Sequence, residues 1–248
     1  MCALQAVEPL VQTHAQQSAN HLLAALPPDE YQRLGPELNF RPLKLRQTLH
    51  KHGERIGEVY FPGRSVCSIT NTMEDGGMVE VAMVGREGLV GIGAFLGDAM
   101  STGDAVVQVQ AEGAQAMNLD VFRREMDRRG PLYDVVNRYS QAFVGLIMQS
   151  VACNGLHSAE ERCCRWLLMT HDRVERDELL LTHDMLSQML TATRPRVSLA
   201  AGKLRTMQVI DYQRGVVRIL DRKRLEQVSC ECYEANRRYL QQLPWAAA

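Results

Sequence analysis

The sequence predicts an α+β chain with an N-terminal antiparallel β-roll, one long helix and a C-terminal winged helix-turn-helix. Three observations carry that expectation. From Phe40 to Leu119, short β-rich runs are punctuated by glycine roughly every ten residues, the rhythm of an antiparallel barrel or roll. Residues 132–157 instead repeat apolar side chains at spacings of four and three, which is a helical period. Leu181–Gly202 reads as two short helices about a tight turn, followed by β-rich runs Val209–Tyr212 and Val216–Leu220 around Gln213-Arg214-Gly215.

Taken in order, residues 1–18 are polar and expected to be poorly ordered. Short helices are expected over Asn20–Leu26 and Asp29–Leu34, separated by Pro27-Pro28. The roll is then read from LKLRQTLHKHG, GEVYFPG, SVCSITNTM, EVAMVG, GLVGIGAFLG, AVVQVQAEG and AQAMNL. Asp120–Arg129 is charged and helical, and Gly130-Pro131 opens the long helix. Along it Leu132, Val136, Tyr139, Phe143, Leu146, Ser150 and Cys153, continued by His157, form a mostly apolar seam of about three heptads. The seam is expected to pair with a second copy, giving a homodimer; the competing reading packs it on its own roll. Ser158 and Glu161 supply a capping box for the next helix, through Cys163, Trp166 and Leu167. The expected division is a roll with N-terminal helices over 1–130, a dimerisation helix over 131–157 and a DNA-binding unit over 158–248.

In the C-terminal motif, Thr182 and Thr193 are placed to cap the two helices, and Pro195 falls in a first turn, where its missing N–H costs nothing. Met185, Leu186, Met189, Leu190, Val197 and Leu204 face inward by spacing, while Ser187 and Ala200 allow a close crossing. Thr193, Arg194, Arg196, Ser198 and Lys203 are left outward. Arginines and hydroxyls at the exposed start of a second helix suit the base edges and phosphates of a DNA major groove. Arg194 or Arg196 is the candidate base reader, and Arg214 at the wing tip the candidate phosphate contact, with Thr182 at the start of the preceding helix. Charge agrees: residues 182–248 hold 11 Lys and Arg against 6 Asp and Glu, whereas residues 1–181 hold 17 against 23. A basic end on a near-neutral chain is the footprint of a nucleic-acid module.

Composition bounds the alternatives. At 248 residues and 46% hydrophobic content the chain can bury substantial cores. It has no basic-then-apolar leader and no run approaching the ~20 apolar residues of a membrane span, so a cytoplasmic protein is expected. An odd seven cysteines then argue for reduced thiols. Cys163-Cys164 and Cys230-x-Cys232 raise a redox or iron–sulfur sensor, but adjacent cysteines on a helix point about 100° apart, which suits packing better than joint ligation; structural or idle thiols are expected, with thiol sensing as the alternative. His50 and His52 with Glu54 or Glu58 raise a cupin-like metalloenzyme, but the roll has no third histidine after His52 to complete a three-His site. These histidines are read as exposed at a strand end. No metal, no cofactor and no enzymatic activity are expected.

A roll, a connecting helix, a helix-turn-helix and a wing in that order resemble the Crp/Fnr superfamily of bacterial transcription regulators. GEVYFPGRSVCSIT (57–70) is similar to its early roll strands, SAEERCCRWLLMTHDRV (158–174) to the first helix of its DNA-binding domain, and residues 181–222 to its winged helix-turn-helix. The resemblance implies a cyclic-nucleotide-binding-like roll and a homodimer on a two-fold operator in double-stranded DNA near promoters, where RNA polymerase is a further candidate partner. Members that bind cyclic nucleotides carry a glycine-glutamate pair and an arginine-serine pair that hold ribose and phosphate. Here Ile92 stands at the glutamate position, and no arginine occurs between Arg86 and Arg123. A buried phosphate without a cation is poorly compensated, so control by cyclic AMP is not expected, with a cyclic-nucleotide-responsive regulator as the alternative. The effector hollow is placed at Gly91, Ile92, Gly93, Phe95, Ser101 and Thr102. Pro195 stands where many members have an acidic residue, and Thr191 where the turn has glycine.

Overall fold

The computed structural model describes residues 18–97 and 99–243. Helices α1 (His21–Ala24) and α2 (Pro28–Leu34) precede strands β1 (Asn39–Arg41), β2 (Thr48–His50), β3 (Glu58–Pro62), β4 (Val66–Thr72) and β5 (Met78–Val84). A short helix α3 (Gly93–Leu96), strands β6 (Asp104–Val109) and β7 (Ala114–Asn118), and helices α4 (Leu119–Arg128) and α5 (Pro131–Leu156) follow. The C-terminal unit comprises α6 (Ala159–Val174), β8 (Glu178–Leu180), α7 (His183–Met189), α8 (Arg194–Thr206), β9 (Ile210–Gln213), β10 (Val216–Ile219), α9 (Arg222–Val228) and α10 (Cys232–Gln241). No helix among the described residues is long and apolar enough to cross a membrane.

The roll consists of two antiparallel sheets, ordered β1-β7-β3 and β2-β6-β4-β5. The glycine-rich GLVGIGAFLG stretch forms no full strand: Val90 bridges to Tyr60 and the chain then turns into α3. Pro28 starts α2 at its first turn instead of breaking a helix, because its fixed φ already suits that position. Asn20 caps α1 from its side chain and ties that helix to the roll through the carbonyls of Pro62 and Gly88. The expectation for residues 1–18 falls almost wholly outside the described residues.

Two cores result. One fills the roll and includes Leu22, Phe61, Phe122, Leu132 and Tyr139. The other lies around the fully buried Trp166 and joins α6, α7, α8 and the wing to Val66, Met83 and Val109 of the roll. The roll is thus a wall of both cores. Polar contacts pin the junction: the Trp166 indole donates to Glu80 Oε1 at 3.0 Å, Ser68 donates to the same carboxylate, and Arg173 meets Glu87 at 2.6 Å with both side chains buried.

The long helix corrects the assembly expectation. Leu132, Val136, Tyr139, Phe143, Leu146, Ser150 and Cys153 are all buried within this chain, against the roll at one end and α10 at the other. Gly145 lies so close to Tyr239 of α10 that a Cβ there would stand 2.7 Å from the ring. Periodicity identifies a face that must be covered, but not what covers it, and here the partner is intramolecular. The solvent-facing apolar residues of α5 are Val144, Met148, Val151 and Leu156.

Burial pushes the Glu80 carboxyl up to about 7, against the lowering effects of Ser68, Arg165, Trp166 and Arg173. Because its folded value lies above its ordinary 4.5, the folded chain holds the proton that the unfolded chain releases between those values. Stability should therefore fall as pH rises from about 4.5 to 7. Denaturant titrations of Glu80→Gln across that window should show a flatter dependence than wild type; an unchanged slope would remove Glu80 as its source.

Candidate nucleic-acid interface

Helices α7 and α8 form the expected pair. The Thr182 side chain accepts from the Met185 amide and caps α7. The turn between the helices passes through Thr191 at φ +47°, a left-handed conformation that glycine adopts at no steric cost. The chain accepts this strain where the resemblance would put glycine. Thr193 has the extended backbone of a cap, yet its side chain makes no capping bond. Pro195 occupies the first turn of α8, as expected. Val197, Ala200, Ala201 and Leu204 seat α8 on the core.

That inward face fixes what points out. By helical spacing, Pro195, Leu199, Gly202 and Thr206 run down the centre of the exposed face, and Leu199 is 64% exposed. Arg194 and Ser198 lie on the flank toward α7: Arg194 Nε is 3.4 Å from Asp184, and Ser198 Oγ is 3.1 Å from His183 Nδ1. Arg196 and Lys203 lie on the other flank, where Lys203 meets Glu160 at 2.8 Å. The sequence reading missed Leu199, an apolar side chain suited to a thymine methyl. It also missed His183, which stacks on Tyr212 at 4.5 Å and whose pKa burial lowers.

The wing is a hairpin of β9 and β10 in which Gln213 pairs with Val216. Its two-residue turn, Arg214-Gly215, has φ of +51° and +80°, the primed geometry that matches strand twist. Arg214 is thereby held exposed at the tip. A third strand, β8, pairs with β10 and was not anticipated; three residues are too few to show a period. Asp221 caps α9, and Arg222 links Asp172, Tyr233 and Glu226, tying the unit's end to α6.

In the roll, a cavity of about 280 Å³ brings Gly91, Ile92, Gly93, Ser101 and Thr102 together with His50, Asn71, Phe143 and Ile147. Phe95 is excluded from it and packs edge-on against Tyr133. Among the described residues no lysine or arginine lines this space. His50, expected to be exposed, is buried, bonded through Nε2 to the Glu58 carbonyl at 2.8 Å, and held below its ordinary pKa by burial. The Glu58 carboxylate turns to Arg41, and among the described residues His50, His52, Glu54 and Glu58 do not converge on one point. Cys163 and Cys164 are packing residues of the second core, as expected. Cys230 and Cys232 are not idle: they meet Cys153 and His157 in one cluster.

Residues 161–228 match the Crp-like helix-turn-helix domain family. That span, α6 through α9, is a Crp-like helix-turn-helix domain. Beyond that domain, the chain shares its fold with solved bacterial regulators over about three quarters of its length. It superposes on FixK2 from Bradyrhizobium japonicum with a TM-score of 0.64 at 13% identity, over 78% of this chain and 98% of that one. A CRP-family transcriptional regulator from Thermus thermophilus gives 0.62 at 19% identity, over 75% and 95%. The c-di-GMP responsive global regulator CLP of Xanthomonas campestris gives 0.62 at 13%, over 78% and 99%. The comparison with curated proteins found no match.

Base reading by α8 and phosphate contact by the wing can be told apart in solution. Losing a bidentate guanine contact should cost about 1–3 kcal/mol of discrimination, and losing a phosphate contact should lower the salt slope by about one unit. Arg194→Ala with Arg196→Ala should flatten preference among DNA fragments selected by the wild type, and Arg214→Ala should lower affinity nearly uniformly. Unchanged affinity and preference in the double variant would remove the α8 assignment.

Proposed function

We propose that this protein is a homodimeric transcription regulator that reads a two-fold operator through α8 and takes phosphate contacts from the wing. The observation that carries the reading is the exposed start of α8, with Arg194 and Arg196 on opposite flanks of a helix whose other side is sealed into a Crp-like domain. Thr182, Thr193, Ser198, Lys203 and Arg214 complete the candidate surface. Lys203 is engaged with Glu160 and Ser198 with His183, so they are the supporting members. Double-stranded DNA and RNA polymerase at a promoter are the partners this reading names, the cytoplasm its compartment, and no enzymatic role belongs to it.

The proposed dimer uses the other face of α5 from the one the sequence suggested. Val144, Met148 and Val151 recur at four and three and stay exposed, as a helix pairing with its own copy requires. Paired along α5, two subunits would present their α8 helices to major grooves about one turn, or roughly 34 Å, apart. The roll's cavity fits a small, weakly charged effector better than a cyclic nucleotide: it offers hydroxyls, amides and a buried histidine, with no guanidinium for a phosphate. Phe143 and Ile147 of α5 line it, which places any ligand on the back of the helix proposed to dimerise.

Met148→Glu should shift sedimentation toward the monomer with little loss of melting temperature, whereas Phe143→Glu, a charge in the roll core, should destabilise the fold itself. A Met148→Glu protein that dimerises like wild type would sink the α5 interface. Calorimetry with cyclic AMP should give no isotherm in the micromolar range; micromolar binding that Ser101→Ala and Thr102→Ala abolish would restore the cyclic-nucleotide alternative.

A further inference from the structure

At the hinge between α5 and α6, four side chains converge from distant parts of the chain. Cys153 lies in the last turn of α5 and His157 is its C-cap, whose N–H still bonds the Cys153 carbonyl, so the two stand on one face of the helix end. Cys230 and Cys232 arrive from the α9–α10 connection, 77 residues from Cys153 in the case of Cys230. The three sulfurs and one imidazole nitrogen all lie within 4.8 Å of one another. Cys153 Sγ is 3.6 Å from Cys230 Sγ, and Cys232 Sγ is 3.5 Å from His157 Nδ1. A tetrahedral zinc ion with Zn–S of about 2.3 Å and Zn–N of about 2.0–2.1 Å has ligand edges of about 3.8 Å for S···S and about 3.5 Å for S···N. The Cys153–Cys230 and Cys232–His157 separations match those edges to within a few tenths of an ångström, and the remaining pairs lie within 4.8 Å, close enough for one ion to draw in. An iron–sulfur cluster puts several atoms between its ligand sulfurs, and this space admits one ion.

The surroundings are those of a ligand set. His157 offers Nδ1 inward while its Nε2 lies 3.1 Å from the Glu231 carboxylate, the outer partner that fixes the tautomer of a ligating histidine. Gln149 donates to Cys232 Sγ at 3.0 Å. Cys230 lies just before α10 and Cys232 is its first residue, so the helix start sets both thiols toward the end of α5. Arg162 is buried beside them, bonded to the Asn154 carbonyl and, among the described residues, to no carboxylate. A three-thiolate site around a divalent ion carries one net negative charge, which that guanidinium would balance.

We infer that Cys153, His157, Cys230 and Cys232 bind one zinc-class divalent ion in a closed tetrahedral site that staples the α5–α6 hinge to the start of α10. Each thiol gives its proton to solvent on binding, three per ion, and neutral His157 keeps its Nε2 proton toward Glu231. With four protein ligands the site has no open position, so its role is structural. It closes a loop from Cys153 to Cys232 that contains α6 and the whole Crp-like domain. The inference does not depend on DNA binding.

The full-length protein, stripped with a chelator under a non-thiol reductant and then titrated with Zn²⁺ or Co²⁺, tests it. One ion per chain is expected, with the intense visible absorption of tetrahedral thiolate-bound Co²⁺ and a melting temperature that rises with metal. Cys153→Ser with Cys230→Ser should abolish the cobalt spectrum, His157→Gln should weaken binding by about tenfold or more, and His52→Gln should change neither. Slower amide exchange across residues 157–160 in the loaded protein would report the staple directly. Should the serine variants fail to fold, the wild-type stoichiometry and spectrum decide alone. Folded, fully reduced wild type that takes up no stoichiometric metal would overturn the inference, as would a Cys153–Cys230 disulfide as the form isolated from cells.

Discussion

The position of the Crp-like domain depends on a buried polar junction with the roll. Trp166 on α6 and Glu80 on β5 meet through an N–H···O bond, and Arg173 at the end of α6 is sealed against Glu87. The Glu87 carboxylate cannot be left without Arg173 in that place: an unpaired buried charge costs several kcal/mol, as the rough scale of buried-pair disruption shows. The junction therefore has one favourable register. Val66, Met83 and Val109 add apolar contact to the same wall, so α6 inherits its orientation from the roll strands, and α7, α8 and the wing inherit theirs from α6. Arg86, which also reaches Glu175 at the end of α6, fastens the rim.

On the proposed recognition surface the exposed ion pairs have a different meaning. Arg194 with Asp184 and Lys203 with Glu160 are solvated pairs, and such pairs contribute only about 0.2–1 kcal/mol each. A DNA phosphate, with its counterion atmosphere to release, can take these cations at small cost. The buried Arg173 cannot be recruited in that way. Burial thus separates arginines that build the domain from those free to meet a polyanion, a distinction the net charge of residues 182–248 does not make.

What the sequence makes legible follows from the range of each signal. The helix pair, the capping box at Ser158 and the wing are set by neighbours in sequence, and they appear within a residue or two of where spacing put them. The Arg214-Gly215 turn is equally local. The seam on α5 was visible as a pattern but not as a contact, because Leu132 to Cys153 would read the same against a roll, α10 or a second chain. Cys153 illustrates the limit best. As the last member of an apolar seam it looks like packing, and Cys230-x-Cys232 alone looks like a pair without partners. Only the fold of α9 and α10 back onto α5 joins the two halves. Phe95 left the roll cavity for a related reason: the run holding it turned into a helix instead of a strand, which rotated its ring toward Tyr133.

The three features of α5 lie on different faces and at different depths of a helix of 26 residues, about 39 Å long at 1.5 Å per residue. Phe143 and Ile147 line the roll cavity, Val144 and Met148 face solvent one position further on, and Cys153 with His157 closes the far end. Adjacent helical residues are fixed about 100° apart, so a rotation of α5 that shifts Phe143 in the cavity must also shift Val144 on the outer face. Close packing makes such a helix settle in discrete positions rather than drift. A ligand in the cavity would bias the proposed dimer face only by the difference in its affinity for those positions. The cysteine cluster sets the other boundary condition, because it fixes the end of α5 from which α6 and the Crp-like domain depart.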